Sequence, residues 1–117
     1  MDLRGDKMKQ NFEMVKGDTM AFGVEIEFDE SPQALEEVYF SCKSINDEKT
    51  LFKKALNDGI SLVKTEGNKM YYRVRIAPQD TKNLEIGRYH YDLEIRTNGD
   101  VYTILRGILN IVKEITE

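Results

Sequence analysis

Cysteine, tryptophan, histidine and proline are all scarce in this 117-residue sequence, and each scarcity excludes something. Cys42 stands alone, so no disulfide can form within the chain and nothing points to an oxidising compartment. The only histidine is His90, so a zinc site would have to draw nearly all its ligands from carboxylates. No apolar run reaches the length of a membrane span. A basic surplus is missing too: 17 Lys and Arg against 21 Asp and Glu give a net charge of −4. That balance argues against nucleic acid as a partner, since phosphate binding calls for a basic surplus or a basic face. Met1 to Lys7 carries charges with no apolar stretch behind them, so a secretory signal is not expected and the protein is expected to be cytoplasmic when made. Gly17-Asp18-Thr19 lacks the glycine spacing and lysine of a phosphate loop. No Gly-x-Ser-x-Gly elbow exists to hold a nucleophile.

What is present is ordinary globular material, 40% apolar and 32% charged, with no internal repeat or linker. One domain of this size buries roughly two-thirds of its unfolded surface, enough for a core without staples. The expected division is a flexible arm over 1–9 and one β-sandwich domain over 10–117. The dominant signal is alternation with a period of two. Met20, Phe22, Val24, Ile26 and Phe28 share one parity, and Glu25, Glu27 and Asp29 the other. Val38, Phe40 and Cys42 alternate with Tyr39, Ser41 and Lys43. Met70, Tyr72, Val74 and Ile76 alternate with Tyr71, Arg73 and Arg75. Tyr89, Tyr91, Leu93 and Ile95 alternate with Arg88, His90, Asp92, Glu94 and Arg96.

Turn chemistry agrees with that pattern. Asn98-Gly99 lies between two strand-like runs and is a strong hairpin signal, because both positions want φ > 0. Asn57-Asp58-Gly59 and Glu66-Gly67-Asn68 mark further tight connections, and Ser31-Pro32 begins a turn. A single helical turn is expected near 78–83. Leu51 to Leu56 fits either a short helix capped by Thr50 or a strand, and Gly107 to Thr116 reads as the final strand. Turn signals every ten to twelve residues point to an antiparallel β-sandwich of about seven to nine strands.

The candidate chemical groups read mostly as structure. His90 falls on the face opposite Tyr89 and Tyr91 and is expected in solvent, while Cys42 shares the parity of Val38 and Phe40 and is expected in the core. The carboxylate pairs Glu25 and Glu27, Asp29 and Glu30, and Glu36 and Glu37 lack the spacing of a calcium loop. They read as a solvated face that discourages edge-to-edge pairing. Arg4-Gly5-Asp6 is a tripeptide too short to carry a function. No catalytic, metal or cofactor residues are expected, and the protein is not expected to be an enzyme. The best candidate partner-contact surface is the basic stripe Arg73 and Arg75 beside Tyr71, with Lys69 next to it.

Two resemblances sharpen this reading. Leu84, then Gly87-Arg88-Tyr89-His90-Tyr91, resembles the corner of immunoglobulin-like domains, with Tyr89 as the corner tyrosine and Tyr91 where antibody domains place a disulfide cysteine. More broadly, the chain resembles small immunoglobulin-like domains of phages and prophages of Gram-positive bacteria, akin to the N-terminal domain of baseplate upper proteins and of tail-fibre proteins. The matching stretches are Gly17 to Phe22, Phe52 to Ile60, Asp80-Thr81, Leu84, Gly87, Tyr89, Tyr91-Asp92, Gly99 to Ile104, Gly107 and Ile115-Thr116. They cover most of the chain from Lys16 onward.

The resemblance implies a β-sandwich, a strand over Leu51 to Leu56, and a virion-associated or virion-assembly role without catalytic residues. Such proteins usually continue into a coiled coil or receptor-binding module, and this sequence stops at Glu117, so a stand-alone module or a partner of a longer protein is expected. The expected partners are proteins, either a second copy of the chain or phage tail components. The alternative is a carbohydrate-binding sandwich with a glycan partner, since Tyr39, Tyr71 and Tyr102 are outward by parity. Neither nucleic acid nor a membrane is an expected partner.

Overall fold

The strands follow from the alternation just described. A computed structural model of the protein describes residues 8–29 and 35–113. In chain order they are β1 (Met8–Lys9), β2 (Phe12–Val15), β3 (Met20–Glu27), β4 (Glu37–Lys43), β5 (Thr50–Leu56), β6 (Gly59–Glu66) and β7 (Lys69–Ile76). A single helical turn, α1 (Pro78–Thr81), precedes β8 (Gly87–Thr97) and β9 (Asp100–Val112). Leu51 to Leu56 is a strand, which settles the ambiguity its spacing left open.

Hydrogen bonding runs along one path, β1-β9-β8-β4-β5-β6-β7-β3, with β2 also on β9. That path doubles back at β5 and β6, which share only two parallel register pairs, Ala55 with Gly59 and Leu56 with Ile60. The result is two layers, a larger sheet of β1/β2, β9, β8, β4 and β5 and a smaller one of β6, β7 and β3. Ring contacts across the layers prove the packing: Phe22 of β3 lies 4.6 Å from Phe12 of β2 and 5.8 Å from Phe40 of β4. No hydrogen-bonded pairing joins β3 to either strand. This is an immunoglobulin-like β-sandwich.

The core is the inward faces of the two sheets brought together, even-numbered on β3, β4 and β7 and odd-numbered on β8. Phe40, Cys42, Val74, Ile76, Leu93, Ile95, Leu109 and Ile111 are almost wholly buried. Phe40 sits at the centre, stacked on Tyr91 at 5.3 Å and near Phe52 at 6.1 Å. Burial of this kind is worth about 1.5–3 kcal/mol for each large side chain.

Polar pins hold the ends of the layers together. The doubling-back between β5 and β6 needs positive φ at Asn57 and Gly59. At Gly59 a Cβ would also lie 2.9 Å from the Lys54 side chain, so glycine lets that stem pass. Lys54 then reaches Asp80 of α1 at 2.6 Å, with both side chains nearly buried. Asp80 also accepts a hydrogen bond from the Ala77 N–H at 2.8 Å. The buried Thr81 hydroxyl accepts one from the Gly17 N–H at 2.9 Å.

Three features differ from the expectations. Residues 8 and 9 of the expected arm pair in parallel with Leu105 and Arg106 of β9, because that edge offers free backbone groups. Residues 1–7 lie outside the described residues, as do Ser31-Pro32 and Ile115-Thr116. The last strand does not begin at Gly107 but runs unbroken from Asp100. Gly107 is a close-approach site instead: a Cβ there would sit 2.0 Å from the Gln10 carbonyl, so the junction of β1 and β2 closes over it.

Candidate interaction faces

The stripe of Tyr71, Arg73 and Arg75 lies on the outer face of the smaller sheet. Alternation along β7 sends Met70, Tyr72, Val74 and Ile76 inward, so the odd residues face out. Arg73 and Arg75 are exposed and Tyr71 is half-buried. In register beside them on β3 stand Glu25 next to Tyr71, Gly23 next to Arg73 and Ala21 next to Arg75. The β3 side of both arginines is therefore almost bare backbone.

The charges at one end of this face are already used. Glu25 lies 3.7 Å from Lys69 and accepts a hydrogen bond from the Tyr71 hydroxyl, which raises the tyrosine pKa above its usual value. Lys64 of β6 stands 4.8 Å from the Tyr71 ring centroid and 3.1 Å from Glu66. Arg73 and Arg75 have no ion-pair partner among the described residues. A shallow depression of about 530 Å³ lies against Ala21, Gly23, Glu25, Lys64, Tyr71 and Arg73. Val63 of β6 also lines it, exposed where a bulge between Leu62 and Lys64 interrupts the pairing with β7.

Tyr89 and Tyr91 occupy the other sheet and do structural work. The Tyr89 hydroxyl donates to the Glu85 carbonyl at 2.5 Å, the short backward bond of a tyrosine corner. Tyr91 is in register with Cys42 across β8 and β4, and its hydroxyl donates to the Gln10 carbonyl. Burial pushes the Tyr91 phenol and the Cys42 thiol each up to about 12. A thiol held neutral in this way is a poor nucleophile.

The outer face of the larger sheet carries a polar cleft that the sequence reading did not single out. It measures about 670 Å³ and is lined by Lys43, Glu48, His90, Asp92, Thr103 and Arg106 among others. His90 Nδ1 lies 3.2 Å from Glu48 Oε1, and Lys43 Nζ lies 3.5 Å from Asp92 Oδ2. Sequence alone placed His90 and Asp92 on one face. It gave no sign of Glu48, which arrives from the turn between β4 and β5. Tyr39 is outward as expected and half-buried, whereas Tyr102 is not outward: it stands in register with the buried Ile95 and packs against the core. Lys53 covers the Tyr39 ring at 3.9 Å and Arg96 at 5.4 Å.

No protein-family model and no curated protein sequence matches this chain. Solved structures do resemble it. A family 123 glycoside hydrolase from Clostridium perfringens, studied for glycolipid glycan hydrolysis, superposes with a TM-score of 0.57 at 11% identity. The match takes in 92% of this chain but 23% of that one, so the chain spans about a quarter of its length. VGSC beta subunits, studied for multimeric cell-adhesive interactions, superpose at 0.45 with 16% identity, covering 91% of this chain and 93% of theirs. The ZIG-8–RIG-5 IG1–IG1 heterodimer gives 0.40 at 13% identity, covering 95% and 91%. At such identities the likeness is one of fold.

Proposed function

We propose that this protein is a non-catalytic interaction module, and that its contact face is the outer face of the smaller sheet around Tyr71, Arg73 and Arg75. The observation that supports this is the pair of exposed arginines without a carboxylate partner among the described residues, with only Ala21 and Gly23 in register beside them on β3. Two residues apart on one strand, these side chains leave the backbone about 7 Å apart, a spacing suited to carboxylates on a facing polypeptide. The resemblance to phage and prophage baseplate and tail-fibre domains makes a tail or baseplate component the natural partner, with the protein made in the cytoplasm and carried into the virion. The test is to co-express the chain with the products of its flanking genes and to purify it. Co-purification with a tail or baseplate product, lost in Arg73→Ala/Arg75→Ala while the fold is retained, is the expected result. Flanking genes for polysaccharide or metabolic enzymes, with no protein recovered, would sink the reading.

The cleft on the larger sheet supports a second reading, a carbohydrate-binding module. Its mixed donors and acceptors, Lys43, Glu48, His90, Asp92 and Thr103, suit the hydroxyls of a neutral sugar. Binding on a glycan array that disappears in Asp92→Ala would promote it, and silence across bacterial wall glycans would retire it.

A further inference from the structure

Gly23 stands in the middle of β3 with no reason for glycine inside the fold. Its φ is not in the left-handed region, and the β3–β7 pairing runs past it without a bulge. A Cβ there would meet nothing nearer than the Tyr72 carbonyl at 3.9 Å, an ordinary contact, so no neighbouring segment excludes a side chain. Glycine weakens a strand interior, and where it makes neither a bulge nor a bend it commonly marks the close approach of a ligand or another backbone. The space above it is the depression on the outer face. Gly23 and Ala21 form the floor, Tyr71 and the exposed Val63 stand on one side, and Arg73 borders it towards Arg75. At the Tyr71 end the charged groups have partners within the chain: Glu25 has Lys69 and the Tyr71 hydroxyl, and Lys64 has Glu66. What stays open there is apolar. At the other end Arg73 and Arg75 are exposed, with no ion pair among the described residues.

We infer that the depression takes an extended acidic segment of a partner protein, laid face down along β7. An apolar side chain sits over Gly23 beside Tyr71 and Val63, and the next two side chains on the same face are carboxylates against Arg73 and Arg75. This rests on the reading of the smaller sheet as the contact face and adds the sequence that the face selects. Side chains on one face of an extended chain recur about every 7 Å, the same interval that separates residues 73 and 75 along β7. Each guanidinium can take a carboxylate through two parallel hydrogen bonds. An acid in place of the apolar group would face Glu25, and a cation in place of either acid would face an arginine. The pattern apolar-x-acid-x-acid is therefore held in one register. Chain direction is left free, because such a face reads side chains and not main-chain groups. Single-stranded nucleic acid fits the face less well, since Lys64 already stands 4.8 Å from the Tyr71 ring centroid, where a base would stack.

The test is fluorescence anisotropy of labelled peptides titrated with the full chain, with thermal melting as a check on folding. The probes are the peptide Ser-Phe-Ser-Glu-Ser-Glu-Ser, its reverse, and both with glutamine in place of glutamate. One acidic peptide is expected to bind saturably, roughly tenfold or more tighter than its glutamine counterpart, and to weaken as salt is added. Gly23→Val is expected to melt at or above the wild-type temperature and, by filling the floor, to weaken binding by roughly tenfold or more. Arg73→Ala is expected to weaken it without lowering the melting temperature, and Arg88→Ala, at an exposed arginine of the larger sheet, to leave it unchanged. Failure of both acidic peptides to bind overturns the inference. So does equal binding of the glutamate and glutamine peptides, or binding that Gly23→Val leaves intact. A Gly23→Val chain that melts well below the wild type overturns it as well, since the glycine would then serve the fold. A single-stranded oligonucleotide that binds more tightly than either peptide turns the face over to nucleic acid. A tail component recovered with Gly23→Val but lost in Arg73→Ala/Arg75→Ala overturns the pocket and leaves the contact face standing. Peptide binding without any tail component leaves the pocket standing and removes the phage reading.

Discussion

The outer faces of the two sheets are built from similar residues and end in different states. On the larger sheet Lys43 meets Asp92, His90 meets Glu48, and Arg96 meets both Glu37 and Glu94, while Lys53 and Arg96 cover Tyr39. On the smaller sheet Arg73 and Arg75 face solvent beside alanine and glycine. A face whose charges are mostly satisfied within the chain, with Arg88 and Arg106 the exceptions among the described residues, has little to offer a charged partner. One that leaves two strong donors without an ion pair among the described residues does, and this difference carries the functional reading.

The comparison can be broken or sharpened by experiment, beginning where the two sheets share their core. Phe40 touches rings from both layers, so Phe40→Ala is expected to cost about 3–5 kcal/mol in urea unfolding. A loss below 1 kcal/mol would mean that the layers are not packed as described. The ion pair between Lys54 and Asp80, with side chains 11% and 12% exposed, ties the doubling-back strand to α1. Lys54→Met leaves that carboxylate nearly buried and uncompensated, a loss of roughly 3 kcal/mol. Lys64→Met, in the exposed pair with Glu66, is expected to change stability by less than about 0.5 kcal/mol.

Alkali probes the buried side of the larger sheet. Cys42 and Tyr91 are both held neutral in the fold, so the unfolded chain ionises first and stability falls as pH rises. The thiol contribution is complete below about pH 9 and declines from there towards about pH 12; the phenol declines from about pH 10. At pH 11 the thiol alone accounts for roughly 3 kcal/mol. Cys42→Ala should therefore move the onset of alkaline destabilisation from near pH 9 to near pH 10 in thermal melts, and an unchanged onset would refute the assignment. Tyr89→Phe, which removes the corner bond to Glu85, is expected to cost about 1 kcal/mol. The smallest effect belongs to the open face: Arg73→Ala and Arg75→Ala should each leave monomer stability within about 0.5 kcal/mol. A larger loss would mean that these arginines already have work inside the chain.

Much of this was legible in the residues. Alternation placed β3, β4, β7 and β8 and their inward sets, Cys42 among them, because a pleat repeats every two residues whatever it pairs with. Asn98-Gly99 marked its hairpin, and both residues have positive φ there. The run at 51–56 stayed ambiguous because Leu51, Phe52, Ala55 and Leu56 satisfy either period, and only the neighbours β4 and β6 decide for a strand. Gly107 misled for a similar reason. A glycine looks like a break until a second chain segment is seen crossing it.

The candidate face shows the same division. That Tyr71, Arg73 and Arg75 share one face follows from their numbers. That no carboxylate among the described residues comes to the two arginines, while Glu25 comes to Lys69, depends on the register of β3 against β7, which pairs residues some fifty positions apart. Glu48 reaches His90 for an equally remote reason. The sequence by itself determined which side of each strand is apolar and where the chain turns, since both are local consequences of pleat and φ. Which strands lie side by side and which charges are spent within the chain were decided by tertiary pairing, because they depend on contacts between segments far apart in the chain.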